Sequence, residues 1–136
     1  MLIVLDTNVL VSGLLNRHGF PGQVVDMILA GELRLAIDKR ILDEYQQVVF
    51  RSYLKIDPSL RQDVMHAINA ASARIHPHHL DIPPEKIPDP TDLPFAEVAV
   101  AAGVDALVTG NVRHFTFLAE YKVKVLTPAQ FTANFR

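Results

Sequence analysis

The 136-residue chain contains no cysteine. That excludes a disulfide framework and any thiolate metal site. Long apolar runs are also missing. The opening stretch Met1–Leu5 meets Asp6 after five residues, far short of the roughly 18 apolar residues of a membrane span. The same N-terminus has neither the charged start nor the apolar core of a signal peptide. A soluble, cytoplasmic protein with no membrane partner is therefore expected. Neither sign of charge dominates: 13 Lys and Arg face 15 Asp and Glu, a formal net charge of −2. The molecule as a whole is not a polycation shaped for nucleic acid, so any such contact must come from a local basic patch or from metal ions. There is no Gly-rich phosphate loop of the GxxxxGK type, no serine or cysteine nucleophile set, no internal repeat and no dividing linker. What is present is a 49% hydrophobic composition, enough for a core in one domain spanning residues 1–136.

Leu2 to Leu5 is apolar at every residue, as a strand buried on both faces should be. Thr7 is suited to cap a following helix with Val9, Leu10, Leu14 and Leu15 on its inner face. Pro21 suits the first turn of a second helix, whose Val24, Val25, Ile28 and Leu29 recur at helical spacing until Gly31. Residues 33–37 read as a strand, and Asp38 caps a helix with an apolar stripe at Ile41, Leu42, Tyr45, Val48 and Val49. Asp57-Pro58 opens another helix, with Leu60, Val64, Ala67, Ile68 and Ala71 turned inward. Residues 73–82 suggest an edge strand weakened by Pro77. Five prolines from Pro83 through Pro94 mark a loop that ends at a helix start near Asp92, with Phe95, Val98, Ala99 and Ala102 inward and Gly103 as its stop. Residues 106–109 and 122–126 read as strands, and Thr127-Pro128 caps a terminal helix. Alternating strands and helices predict an α/β protein, a three-layer α/β/α sandwich around a mainly parallel sheet.

Four pieces carry oxygen ligands: LDTN at 5–8, Glu44, DPTD at 89–92, and VTGN at 108–111. Asp6 ends the first strand, Asn111 follows the 106–109 strand, and Asp92 opens the helix leading into it. Glu44 lies about two turns into its helix, out of phase with the apolar stripe. In open α/β sheets ligands bind beyond the carboxyl ends of the strands, so all four pieces are candidates to face one end of the sheet. Gathered carboxylates repel one another without a cation, and oxygen donors suit Mg²⁺ or Mn²⁺. Each piece has a plainer reading alone: Asp6 and Asp92 as helix caps, Glu44 as a solvated helix residue, VTGN as a turn. The combination is what carries chemistry.

With these residues in order, the sequence resembles the PIN-domain ribonucleases, in particular the bacterial and archaeal (VapC-like) branch of toxin components of toxin–antitoxin pairs. The opening IVLDTNVLVSGLL, the middle ILDEYQQVVFR, the segment DPTDLPFAEVAVAAGVDALVTGN and the following RHF carry the resemblance over nearly the whole chain. It implies an α/β/α fold and Mg²⁺- or Mn²⁺-dependent hydrolysis of RNA. By position, Asp6, Glu44 and Asp92 are the implied metal-binding, catalytic acids. Asn8 matches the polar residue beside the first acid, and Thr109 the threonine or serine at the site's edge. Many relatives carry a further acid after the last motif, where this chain has Asn111 and His114. Asn111 still offers an oxygen but no charge, so a second metal there should bind more weakly. Asp89 is a compensating candidate, although the DPTD spacing favours Asp92 as ligand. The implied chemistry is metal-assisted hydrolysis. Asp6 and Asp92 hold the ion that acidifies a water, and Glu44 positions it or acts as general base. Arg17, Lys39, Arg40, Arg51 and Arg113 are candidate contacts to RNA phosphates, and His114 is expected to face phosphate or solvent. The implied partners are an RNA substrate, a small antitoxin protein and a second copy of the chain in a homodimer or higher oligomer.

Three other readings compete. HPHH at 76–79 offers imidazoles, but Pro77 and the spacing fit no helical or hairpin metal site. A haloacid-dehalogenase-like phosphatase also starts with a strand ending in Asp, but wants an acid where Asn8 stands. A PIN-like module that has lost catalysis and only binds RNA or protein is favoured by Asn111.

Overall fold

The computed structural model describes residues 1–135. Five parallel strands form one sheet in the order β3-β2-β1-β4-β5. They are β1 (Leu2–Leu5), β2 (Arg34–Ile37), β3 (Ala73–Arg74), β4 (Ala106–Val108) and β5 (Val125–Leu126). The helices flanking the sheet are α1 (Thr7–Leu15), α2 (Phe20–Leu29), α3 (Lys39–Val49), α4 (Pro58–Ala71), α5 (Leu93–Ala102) and α6 (Pro128–Phe135). The α/β fold with a parallel central sheet is as the residue pattern predicts. Ile3, Val4, Leu5, Ala106, Leu107 and Val108 are fully buried, because a central parallel strand is covered on both faces. α2 packs against α1, α4 and α6, while α5 packs against β1, β2 and β4. Gly31 and Gly103 adopt φ of 75° and 59° just past α2 and α5, the left-handed turn that glycine makes without a Cβ clash.

Several local expectations change. Asp6, not Thr7, is the N-cap of α1, and Thr7 is its first helical residue, buried with its hydroxyl turned elsewhere. Leu15 is 47% exposed rather than inward, being the last residue of a short helix whose buried face ends at Leu14. Ala71 is also exposed, at the last turn of α4. The edge strands are shorter than the sequence suggests. Residues 73–82 supply only Ala73–Arg74, and 122–126 only Val125–Leu126. Pairing stops before Pro77 on one side, and on the other Lys122 takes a left-handed φ of 60°. Residues 112–121, given no element from sequence, form 3₁₀ turns kinked at Phe115, with Phe115, Phe117 and Leu118 buried.

The strand order decides where a site can lie. From β1 the chain steps outward to β2 and β3, then returns to the other side of β1 as β4. The order therefore reverses between β1 and β4, and helices leave in opposite directions there, opening a crevice at the strands' carboxyl ends.

Candidate metal centre

Asp6 is the residue after β1 and Thr109 the residue after β4, so both stand at the reversal point. The Asp6 amide donates to the Val108 carbonyl at 2.9 Å, extending the ladder to the lip of the sheet. The Thr109 hydroxyl is fully buried and donates to Asp6 Oδ2 at 2.7 Å. The Asn111 amide in turn donates to Thr109 Oγ1 at 2.9 Å, which fixes the hydroxyl's direction. Below them Tyr45, fully buried on α3, donates its hydroxyl to the Leu5 carbonyl. Burial, with the charges of Asp6 and Glu44, pushes the Tyr45 phenol well above its usual range, so it stays a neutral donor that anchors the strand end.

Glu44 reaches the same cleft from α3, and the Thr7 hydroxyl donates to its Oε2. Thr7 thus holds the acid of another helix instead of capping its own. Asp92 comes from the other side. It is the N-cap of α5 but makes no side-chain capping bond, and it lines the cleft instead. Its Oδ2 lies 3.0 Å from His114 Nδ1. Asp6, Thr7, Asn8, Glu44, Thr91 and Asp92 are among the residues lining a cleft of about 420 Å³.

The electrostatics of this cleft are adverse. Asp6 and Asp92 are only 7% and 8% exposed. Burial raises the Asp6 carboxyl above its ordinary range. The charges of Asp92 and Glu44 raise it further, against the Thr109 hydrogen bond. Burial also raises Asp92, with Asp89 and Glu44 adding to it and His114 opposing. Desolvation and like charge both disfavour ionisation, and a cation among the oxygens relieves both. Asp89 is held differently: its Oδ1 accepts from the Thr91 amide at 3.0 Å and hydroxyl at 2.8 Å. Those bonds lower its carboxyl below the usual range. One ligand atom each from Asp89, Asp92 and His114 lie within 4.8 Å of one another. The donor chemistry, carboxylates with one imidazole, fits a hard or borderline divalent ion.

The remaining candidates divide. Asn8 is exposed on the cleft wall. Asn111 is exposed and lines a neighbouring cleft with Arg113 and His114 instead of the acidic one. His114, expected to face phosphate or solvent, lies against Asp92, because the 3₁₀ turns after β4 fold it back over α5. Of the basic residues, Arg17 pairs with Asp26, and Lys39 with Asp43 at 2.9 Å. Arg40 pairs with Asp38 at 2.7 Å and Glu97 at 2.8 Å. Arg51 approaches the Tyr53 hydroxyl at 3.4 Å. Arg113 is exposed beside the site.

A family model described as PIN domain matches residues 2–113. The chain belongs to the PIN domain family. PIN domains are generally metal-dependent nucleases, and membership implies a divalent ion and RNA binding. No curated protein matches the chain. No helix among the described residues is long and apolar enough to cross a membrane. The PIN-domain match takes in the crevice residues Asp6, Glu44, Asp92 and Thr109 and stops one residue short of His114.

Sequence reasoning missed Thr7 as the partner of Glu44, Tyr45 as the strand anchor, and Glu97. Glu97 is 3% exposed, and accepts from Arg40 at 2.8 Å and from the Leu80 amide at 2.8 Å, with His79 Nδ1 at 3.0 Å. A signal existed: it is the one charged residue in Leu93–Ala102. The partners of Thr7 and Tyr45 lie 37 and 40 residues away, with no local signature.

Proposed function

We propose that this chain is a Mg²⁺- or Mn²⁺-dependent endoribonuclease using Asp6, Glu44 and Asp92. The observation that carries the reading is the pair of buried carboxylates, Asp6 and Asp92, both held above their ordinary range beside Glu44 at the reversal of strand order. Such a pair is unfavourable by itself and suited to a divalent ion. When bound, that ion supplies Lewis acidity toward a phosphoryl oxygen and acidifies water. The chain's own residues do the rest. Thr109 fixes Asp6 Oδ2 as an acceptor, and Asp6 lines the cleft as the candidate ligand. Thr7 holds one Glu44 oxygen, leaving the second to take a proton from water as general base. His114 orients Asp92, as an outer partner orients a metal ligand. Arg113, exposed at the rim, is the nearest candidate for an RNA phosphate.

Within this reading the chain is one domain over residues 1–136 and acts in the cytoplasm as the toxin of a toxin–antitoxin pair. A small antitoxin blocks the cleft by setting an arginine among the carboxylates, and the nuclease works as a homodimer or higher oligomer. Asn111 supports a second reading. It carries no charge and lies outside the acidic cleft, which suits a PIN domain that binds RNA or protein with catalysis weakened.

The test is cleavage of a mixed RNA pool by wild type and Asp6→Asn with Mn²⁺, Mg²⁺ or EDTA. Cleavage by wild type alone, lost in EDTA and reduced more than about 100-fold by the substitution, is expected; that is the upper range for removing even an outer-shell metal partner. A folded wild type that binds RNA and cleaves none of it under Mn²⁺ supports the binding module instead.

A further inference from the structure

Beside the acidic cleft lies a second concavity of a different character. It encloses about 430 Å³ between the N-terminal turns of α1, α2 and α6. Phe20, Pro21 and Pro128 give it apolar walls, and Asn8, Ser12 and Thr127 give it polar edges. Asn8 and Ser12 are also walls of the acidic cleft. Gly110 and Thr127 are shared with the cleft that carries Asn111, Arg113 and His114. The three concavities thus adjoin one another, sharing walls, over the carboxyl end of the sheet. At the junction Gly110 has no side chain, and its nearest neighbour is the Asn8 amide, 3.7 Å from where a Cβ would stand. Phe20, the first residue of α2, leaves 51% of its surface open. An aromatic face beside polar groups in a pocket of this size is the make-up of a small-molecule site.

The geometry points to this pocket as a nucleobase site: it takes one unpaired base of single-stranded RNA, from the nucleotide next to the phosphate held over Asp6 and Asp92. The inference rests on the nuclease reading and names the form of RNA that site takes. A base has a flat π-face for Phe20 and an edge of donors and acceptors for the Asn8 amide and the Ser12 hydroxyl. Because Asn8 and Ser12 wall both spaces, a nucleotide lying across them sets its base in one and its phosphate in the other. The cationic Arg113 lines the adjoining cleft on the far side of Gly110, where the next phosphate runs. Bases in a duplex are stacked on both faces and cannot reach Phe20, so the pocket selects unpaired RNA.

The chain contains no tryptophan, which gives a direct reporter. In Phe20→Trp the sole indole lies in the pocket. We would titrate wild type, Phe20→Ala, Phe20→Leu and Phe20→Trp with a fluorescently labelled single-stranded RNA octamer and with its duplex. Ca²⁺ would replace Mg²⁺ so that binding is read without cleavage. Phe20→Ala and Phe20→Leu should each weaken single-strand binding roughly 5- to 150-fold, the range for one base–aromatic stack. Phe20→Trp should keep the affinity, its fluorescence quenched by the single strand and not by the duplex. Unchanged affinity in Phe20→Ala, or an indole blind to RNA, overturns the base site. So does Phe20→Ala that splits a dimer and leaves RNA affinity intact, since the face then belongs to a second copy of the chain. The two readings separate cleanly. Metal-dependent cleavage with no effect at Phe20 removes the base site alone. Phe20-dependent binding by a wild type that never cleaves removes the nuclease reading alone.

Discussion

Thr109 shows how one side chain sets the state of another. Its buried hydroxyl donates to Asp6 Oδ2 at 2.7 Å, and that bond opposes the burial and the like charges that raise the Asp6 carboxyl. Removing it leaves burial and the charges of Asp92 and Glu44 opposed only by the Asn8 backbone hydrogen bond, which ranks last among the causes. Thr109→Val should therefore raise the Mn²⁺ concentration for half-saturation about 10- to 100-fold, the usual effect of losing an outer-shell partner, and Thr109→Ser should restore it. Calorimetric titration measures both. The pH dependence follows with a definite sign. On our reading the divalent ion is held by Asp6 and Asp92 and needs both ionised, and both carboxyls titrate above their ordinary value of 3.8. Metal affinity should fall on acidification from neutral pH sooner than for an unperturbed carboxylate site, and Thr109→Val should lose affinity at still higher pH.

At the scale of elements, Glu97 ties three segments together. It sits on α5, takes Arg40 from α3, and holds the Leu80 amide and His79 of the segment after β3. Burial opposes its charge. The Arg40 hydrogen bond, the Leu80 amide and the charges of Arg40 and His79 prevail, and the carboxyl lies below its ordinary 4.5. A depressed acid contributes stability above its unfolded pKa and loses it as pH falls through the lower folded value. Glu97→Gln keeps an acceptor for Leu80 but leaves Arg40 with Asp38 alone. It should cost about 1–3 kcal/mol at pH 7, in the range for losing a charged hydrogen-bond partner. The loss should shrink toward acid pH, and amide exchange should speed most at Leu80. Equal exchange at Leu80 in both proteins would show that the tie does not hold this segment. The same region marks the limit of local reading. The Pro77 signal for a weak edge strand was legible, and pairing does stop at Arg74. Nothing in residues 75–82 indicates that they are pinned by an acid on α5.

For the whole molecule, the metal-free acidic cluster is a standing liability. The raised carboxyls favour folding below their unfolded pKa near 3.8. That contribution is lost as pH rises through their folded values, so at pH 7 without metal they weaken the fold. Asp6→Asn, inactive as a nuclease on our reading, should melt above wild type in EDTA by about 0.5–2 kcal/mol, as relief of a functional-site strain commonly does. Wild type should gain about 2.7 kcal/mol from Mn²⁺ at 100 times its dissociation constant, and Asp6→Asn far less. Thermal melts of the two proteins, with and without Mn²⁺, check both statements; a wild type that melts identically with and without the ion would count against a metal centre.

The sequence by itself determined the class of fold, because buried strands and amphipathic helices write their periods locally. Leu2–Leu5 and Ala106–Val108 are apolar at every position, and the α3 stripe recurs at helical spacing. It also marked the candidate acids, since Asp6 falls at a strand end and Asp92 at a helix start. Only the tertiary structure decided which chain segments meet. The order β3-β2-β1-β4-β5 brings Asp6 beside Thr109, 103 residues away. It also brings Thr7 onto Glu44 and His114 onto Asp92. It turned Asn111 into the neighbouring cleft and set Phe20 and Asn8 on the walls of one pocket. These pairings depend on strand order and on how helices pack across the sheet. Those are sums of many weak apolar contacts between distant segments, and no short stretch of sequence carries them.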